Sequence, residues 1–179
     1  MYIYFILIGL VIIVVGIYNK LIRAKNHVDE ASADINVQLK RRFDLIPNLV
    51  ETVKGYVSHE KEVLEKITQL RSQALATSDF KESDKINQEI SKNISNILVS
   101  FENYPELKAN QNFLALQTEL VDTENKIQAS RRFYNNVAKD YNILIESIPT
   151  NIFAKLFNYQ RRLLLEISAE EAKNVTVKF

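Results

Sequence analysis

The chain has 179 residues, a formal net charge of +1, three glycines, three prolines and no cysteine. This length suits a single domain, and the near-neutral charge gives no reason to expect nucleic acid, whose partners usually carry a marked basic excess. The lack of cysteine excludes disulfides, thiolate metal sites and cysteine nucleophiles. Because so few glycines and prolines leave little turn chemistry for short strands, we expect an all-α fold.

The first segment, residues 1–22, is predicted to be a transmembrane anchor. The run "YIYFILIGLVIIVVGIY" (2–18) holds no charged residue, and with "NKLI" the apolar stretch reaches about 20 residues, which just spans a bilayer core of about 30 Å. A cleaved signal peptide is the alternative. That alternative needs a basic region before the apolar run and small residues at the cleavage site, whereas nothing basic precedes the run and "GIYNK" is a poor site.

Basic residues follow the apolar run, at Lys20, Arg23 and Lys25, and none precedes it. Because cytoplasmic flanks of membrane spans carry an excess of Lys and Arg, this asymmetry predicts a single-pass protein of the cell (inner) membrane. Its N-terminus is expected outside, and the domain that follows is expected in the cytoplasm.

Apolar residues at spacings of three and four predict four helices in the rest of the chain, at about 19–43, 45–77, 81–103 and 106–148. A short helix is expected near 151–158. Short connections favour antiparallel neighbours, so residues 23–160 are predicted to form an up-down-up-down four-helix bundle. Residues 161–179 form a C-terminal tail, whose end "NVTVKF" is expected to be extended against the bundle or loose.

Pro47 interrupts an apolar pattern that otherwise indicates continuous helix. In a helix interior proline removes a hydrogen bond and costs about 3 kcal/mol, whereas in the first turn its missing N–H costs almost nothing. Asp44, three residues earlier, is a suitable N-cap. We therefore expect one helix to end near Phe43 and the next to begin near Leu45. The alternative is one long helix that is kinked at Pro47.

Two stretches of the chain resemble the signature regions of the LemA family. They are "NHVDEASADINVQLKRRFDLIPNLVETVKGYVSHEKEVLEKI" (26–67) and "ENYPELKANQNFLALQTELVDTENKIQASRRFYNNVAKDYNILIESIPTNIFAKLFNY" (102–159). The resemblance implies a bacterial inner-membrane protein with an N-terminal transmembrane helix, a four-helix bundle and no established catalytic activity. It also implies a part in organising the cell envelope. Some relatives begin with a lipid-modified cysteine, which this chain lacks.

The chain offers little for catalysis or metal binding. Its two histidines, His27 and His59, lack the second His four residues away that a helical zinc site needs. A di-iron site needs Glu three residues before His, and those positions hold Ala24 and Tyr56. We expect both histidines to be solvated or half-buried. No enzyme activity, metal, cofactor or small-molecule substrate is expected.

Polar residues lie beside the apolar stripe of the fourth predicted helix. A solvated face is one interpretation, but Asn is a poor helix former with no advantage at a free surface position. We therefore favour a buried polar network that specifies helix register, in which a residue of the first helix reaches Arg131. The candidates are Asn26, Asp29, Glu30, Glu124, Arg131, Tyr134, Asn135, Tyr141 and Asn142.

In such a bundle the first and third turns share one end, far from the membrane. That places "RRFDLIPN" beside "ENYPELKAN" and predicts a polar surface rich in the residue types of interaction hot spots. The alternative is that the two turns only cap helices and hold each other. The partner-binding candidates are Arg41, Arg42, Asp44, Asn48, Glu102, Tyr104, Glu106, Lys108 and Asn110.

Two functions remain open on this basis. The leading hypothesis is a membrane-tethered scaffold or adaptor that docks unidentified partner proteins, with self-association as a further option. The other is a membrane-surface module that binds anionic lipid and organises or remodels the membrane. Its basic residues are Lys20, Arg23, Lys25, Arg161 and Arg162.

Overall fold

A computed structural model describes residues 2–56 and 60–166. Within these residues the protein has six α-helices and no β-strand. The helices are α1 (Tyr2–Val53), α2 (Lys61–Ala76), α3 (Phe80–Ser100), α4 (Pro105–Ala109), α5 (Gln111–Glu146) and α6 (Thr150–Leu156), with a 3₁₀ turn at Phe101–Asn103. The all-α prediction is thus confirmed for the described chain, while the up-down-up-down bundle stays a prediction. His59 and "NVTVKF" lie outside the described residues.

The predicted helix boundary near Pro47 is wrong. Helix α1 continues through Pro47 to Val53 and ends only in a turn that contains Gly55. Proline cannot donate to the carbonyl four residues earlier, which is that of Phe43. That carbonyl instead accepts a hydrogen bond from Nε of Arg71 in α2, at 2.7 Å. A side chain of the next helix therefore satisfies the acceptor that proline leaves open.

The remaining boundaries follow local capping. Asp79 caps α3 by accepting a hydrogen bond from the Glu82 N–H at 2.8 Å. The predicted helix 106–148 is in fact two helices, since Asn110 begins α5 by accepting from the Phe113 N–H at 3.2 Å. The short helix expected near 151–158 is present as α6.

The chain divides into two compact units, each with its own buried residues. Unit A consists of the described parts of 1–36 and 129–164, and unit B of the described parts of 37–128 and 165–179. In unit B, α2 packs against α3, and the Phe101 and Phe113 rings meet edge to face at 5.3 Å. The apolar core of unit B contains Phe43, Ile46, Leu49, Val53, Leu64, Ile67, Leu70, Ile90, Ile94, Ile97, Phe101, Leu107, Phe113 and Leu120.

Unit A contains the apolar start of α1. From Tyr2 to Val15 the large apolar side chains are exposed apart from the half-buried Val14, whereas Leu21 is completely buried. Among the described helices α1 alone is long and apolar enough to cross a membrane. The buried residues of unit A are Leu21, Val28, Ala31, Tyr134, Ala138, Tyr141, Asn142, Ile145, Thr150 and Ala154.

Candidate functional site

The most deeply buried charge in unit B is Arg42 of α1, whose side chain is 0% exposed. Its Nη1 donates to Ser91 Oγ at 2.8 Å and to Glu124 Oε1 at 3.2 Å, and its Nη2 donates to Asn87 Oδ1. Ser91 Oγ also lies 2.7 Å from the second oxygen of Glu124. We call these four residues the Arg42 cluster. It joins α1, α3 and α5 through one guanidinium.

A buried ion pair of this kind fixes which helix faces meet more than it adds net stability, because desolvation opposes the attraction. Glu124, a candidate for the predicted polar network, pairs with Arg42, and 16% of its side chain is exposed. Arg42 was predicted to lie on a partner-binding surface, and its burial contradicts that position. The sequence carried a signal for this, since Arg42 lies three residues after Leu39 and four before Ile46, on the apolar stripe.

The neighbouring Arg41 is more exposed and pairs across to α5. It donates to Glu119 and, at 3.0 Å, to Asp122, which also pairs with Lys126 at 2.8 Å. The hydrogen bond to Glu119 raises the pKa of Arg41. The hydrogen bond from Lys126, aided by Arg41, lowers the pKa of Asp122. Asp44 likewise pairs along its own helix with Lys40, at 2.9 Å.

The second of the two loops predicted to form one surface makes hydrogen bonds near the end of α1. Tyr104 donates to Glu60, and Asn110 donates to Tyr56 at 3.4 Å, so the 101–110 segment meets the turn that ends α1. Nine residues of α5, about 13 Å, separate Asn110 from Glu119, the partner of Arg41. Because α1 continues through Pro47, the turn that follows it lies at residues 54–56 rather than near residue 44.

We call Tyr56, Glu60, Tyr104 and Asn110 the Tyr104 cluster. The hydrogen bond to the Glu60 carboxylate raises the pKa of Tyr104, so its hydroxyl stays protonated at neutral pH. Beside the cluster, an open groove of about 620 Å³ is lined by Val50, Lys54, Lys61 and Leu64 among others. The other predicted partner-binding residues, Asn48, Glu102, Glu106 and Lys108, are exposed, and their role in binding stays a prediction.

In unit A the predicted network residues of α5 bind a segment without regular structure. We call this segment, residues 159–164, the strap. Asn142 is nearly buried and binds the backbone of Arg162 twice, accepting from its N–H at 2.8 Å and donating to its carbonyl at 2.9 Å. Tyr141 donates to the Gln160 carbonyl at 3.0 Å and Tyr134 to the Leu163 carbonyl at 2.9 Å.

The strap also binds through its own arginines. Arg162 donates to Asp29 at 2.6 Å, and Arg161 pairs with Glu146 at 3.1 Å. Burial raises the pKa of Tyr134 and Tyr141, which keeps both hydroxyls as donors. The sequence pattern indicated Tyr134, Tyr141 and Asn142 as inward-facing polar residues, but it did not indicate their partner, because no periodicity marks an extended segment.

The other network candidates are exposed or half-buried. Asn26 and Glu30 are exposed, and Arg131 and Asn135 are half-buried. The expected contact of Arg131 with the first helix stays a prediction, and Asp29, one of its expected partners, is used by Arg162. In the described part of the chain no three His, Asp or Glu side chains are placed to hold a metal ion.

Two open grooves border the strap and α6 in unit A. One, of about 550 Å³, is lined by Lys20, His27, Asp140 and the residues around Pro149. The other, of about 480 Å³, is lined by Tyr18, Lys25, Phe157, Tyr159 and the two strap arginines. Both lie beside the part of α1 that follows the apolar run.

Comparison with known proteins matches the sequence of this chain to one family. The family model described as LemA family matches residues 31–179, which include the Arg42 cluster and the strap. The chain belongs to the LemA family. It is also 33% identical over 165 residues to "Protein LemA" of Metamycoplasma hominis, an alignment that covers 90% of this chain and 74% of that protein. The resemblance found in the sequence is thereby confirmed.

Proposed function

We propose that this LemA-family protein is a membrane-anchored, non-enzymatic helical scaffold that docks partner proteins at the bacterial cell membrane. The observation that carries the proposal is helix α1 itself. It runs without interruption from an exposed apolar segment, long enough to cross a bilayer, into a packed core that begins at Leu21. An exposed apolar helix of this length is costly in water and stable in lipid.

The four-helix bundle predicted from the sequence is part of this proposal, with α1, α2, α3 and α5 as its helices. Contacts in unit B support it. Arg42 joins α1 to α3 and α5, and Arg71 joins α2 to α1. Hydrogen bonds of this kind between helices fix their arrangement, and a scaffold needs such a fixed surface to dock a partner.

The surface proposed to receive a partner is the Tyr104 cluster with its adjoining groove. Tyrosine is among the residue types most enriched at interaction hot spots, and Tyr56 remains partly exposed. Lys54 and Lys61 flank the apolar Val50 and Leu64 in the groove, a mixture of apolar centre and charged rim that resembles many protein interfaces.

Placement of the folded part in the cytoplasm is likewise a proposal. It is supported by Lys20, Arg23 and Lys25, which follow the apolar run on that side. A reporter enzyme that is active only outside the cytoplasm, fused after α6, should remain inactive. Activity of that fusion would place the folded part outside.

Site-specific photo-crosslinking in intact cells tests the scaffold directly. A photoreactive residue at Lys108, in the segment that carries Tyr104, is expected to give a discrete protein adduct. Lys92, an exposed lysine of α3, is the control and should give none. Tyr56→Ala should abolish the adduct while leaving the helical content unchanged. Identical adducts at both positions, or none at either, would contradict a partner site here.

The second candidate function, a lipid-binding membrane-surface module, has one specific observation in its favour. The groove lined by Lys25, Arg161 and Arg162 places three cationic side chains next to Tyr18, at the end of the apolar run. Each basic residue near an anionic leaflet contributes about 1 kcal/mol. Lys25→Gln with Arg161→Gln should then reduce the enrichment of anionic lipid around the purified protein, which lipid analysis by mass spectrometry would measure.

A further inference from the structure

Helix α6 has two faces with opposite environments. Thr150 and Ala154 are buried, whereas Ile152 and Leu156, on the other side of the helix, are 63% and 73% exposed. Ile148 just before the helix and Phe157 just after it are exposed as well. Four large apolar side chains in and beside α6 are therefore exposed in unit A, and we call them the α6 stripe.

Contacts with α1 fix the height of the α6 stripe along the anchor. The Phe157 ring meets the Tyr18 ring edge to face, with 5.4 Å between centroids. At the other end, Ile148 and Thr150 line the same groove as Lys20. Tyr18 lies at the end of the apolar run, and Lys20 is the first charged residue after it. Tyrosine and lysine at such positions mark the boundary between the hydrocarbon and the headgroups of a bilayer. Both ends of α6 therefore lie at the level of that boundary.

We propose that α6 is an interfacial helix, whose stripe of Ile148, Ile152, Leu156 and Phe157 inserts into the same bilayer that α1 crosses. This inference rests on the proposed membrane anchor. Lipid is the occupant that the geometry favours, because contacts with Tyr18 and Lys20 place the stripe at the surface of the bilayer that α1 crosses. Lys155, exposed between the apolar residues, suits a position from which a lysine reaches the headgroups.

The absence of native cysteine allows a direct test on the full-length protein in nanodiscs that hold one copy each. Ile152→Cys and, separately, Leu156→Cys would carry an environment-sensitive fluorophore. Ile12→Cys in the apolar run reports on the anchor. Val99→Cys on α3, 65% exposed and thus matched to Ile152, is the control outside α6. Quenchers attached at shallow and deep positions of the lipid measure depth, and aqueous iodide measures exposure to water.

Labels at positions 152 and 156 are expected to lose more of their emission to the shallow lipid quencher than to the deep one. The label at 12 should show the opposite order, and the label at 99 should respond only to iodide. Lipid quenching at 12 but not at 152 or 156 would overturn the interfacial helix and leave the anchor intact. Loss of lipid quenching at 12 would overturn the anchor itself.

Two further outcomes would also overturn the proposal. Shielding of positions 152 and 156 from iodide without lipid quenching would mean that protein covers the stripe. Equal lipid quenching at 99 would mean that any exposed apolar side chain adsorbs to the bilayer. Circular dichroism of each labelled variant checks that the fold is retained.

Discussion

The Arg42 cluster of unit B and the strap of unit A use similar polar residues for different structural roles. In both, polar side chains point inward from long helices. The cluster connects side chains of three regular helices around one buried charge, whereas at the strap α5 binds backbone groups that no regular structure satisfies. The first arrangement specifies which helix faces meet, and the second supplies hydrogen-bond partners to the backbone of a segment without regular structure.

The largest expected effect comes from the cluster. Arg42→Ala should lower the free energy of unfolding by about 3–5 kcal/mol, because Glu124 is left without its cation and the guanidinium leaves a void. Thermal and denaturant unfolding of the intact protein in detergent micelles measure the change. Arg42→Met combined with Glu124→Leu should recover much of it, since buried ion pairs are often replaceable by apolar residues. A double variant no more stable than Arg42→Ala would contradict this account.

The next effect concerns the carbonyl that Pro47 leaves open. Arg71→Met removes the charged donor to the Phe43 carbonyl and should cost about 1.5–3 kcal/mol. In a Pro47→Ala background the new N–H can bond that carbonyl, so the same Arg71→Met substitution should cost clearly less. A double-mutant cycle of unfolding free energies measures this coupling. Additive effects would mean that Arg71 stabilises the fold by another route.

The strap should show a smaller and more local effect. Asn142→Ala removes both hydrogen bonds to the Arg162 backbone and should cost about 1–3 kcal/mol. Hydrogen exchange of the Arg162 amide should accelerate, while the amides of α3 stay protected. Asn136, exposed on the same helix, is the matched control, and Asn136→Ala should change neither. Unchanged exchange at Arg162 would show that Asn142 does not hold the strap.

The comparison also shows what sequence pattern can and cannot predict. Apolar spacing predicted the helices and, through Asn142 and Tyr141, the inward polar face of α5, because both depend on the 3.6-residue period. The partners were missed for two reasons. Arg42 has a charge that argues for the surface, although its position on the stripe argues for burial. The strap has no period at all, so its contacts depend on tertiary structure alone.

Pro47 shows that local propensity alone also does not predict where a helix ends. Proline argues for a helix boundary, and Asp44 is a suitable cap, so the local signals agreed on a break. A hydrogen bond from Arg71, which lies 28 residues after Phe43 in sequence, offsets those local signals. The Arg71 side chain takes the place of the lost backbone donor, and the helix continues to Val53.

The smallest expected effect lies one residue away from the largest. Arg41→Gln removes pairs with Glu119 and Asp122 that water screens, so at neutral pH the melting temperature should fall by roughly 2 °C or less. The pKa of Asp122 is lowered, chiefly by Lys126 and then by Arg41. Its stabilising contribution is therefore present above the ordinary carboxyl pKa and is lost as the pH falls through the lowered value.

Melting temperatures of wild type and Arg41→Gln should accordingly converge in acid and in high salt. The same two curves for Arg42→Ala should stay apart at neutral pH whatever the salt concentration, because its partners are shielded from solvent. A loss for Arg41→Gln as large as that for Arg42→Ala would mean that burial does not separate the two arginines. The difference between adjacent residues of one type thus depends on which side of α1 each occupies.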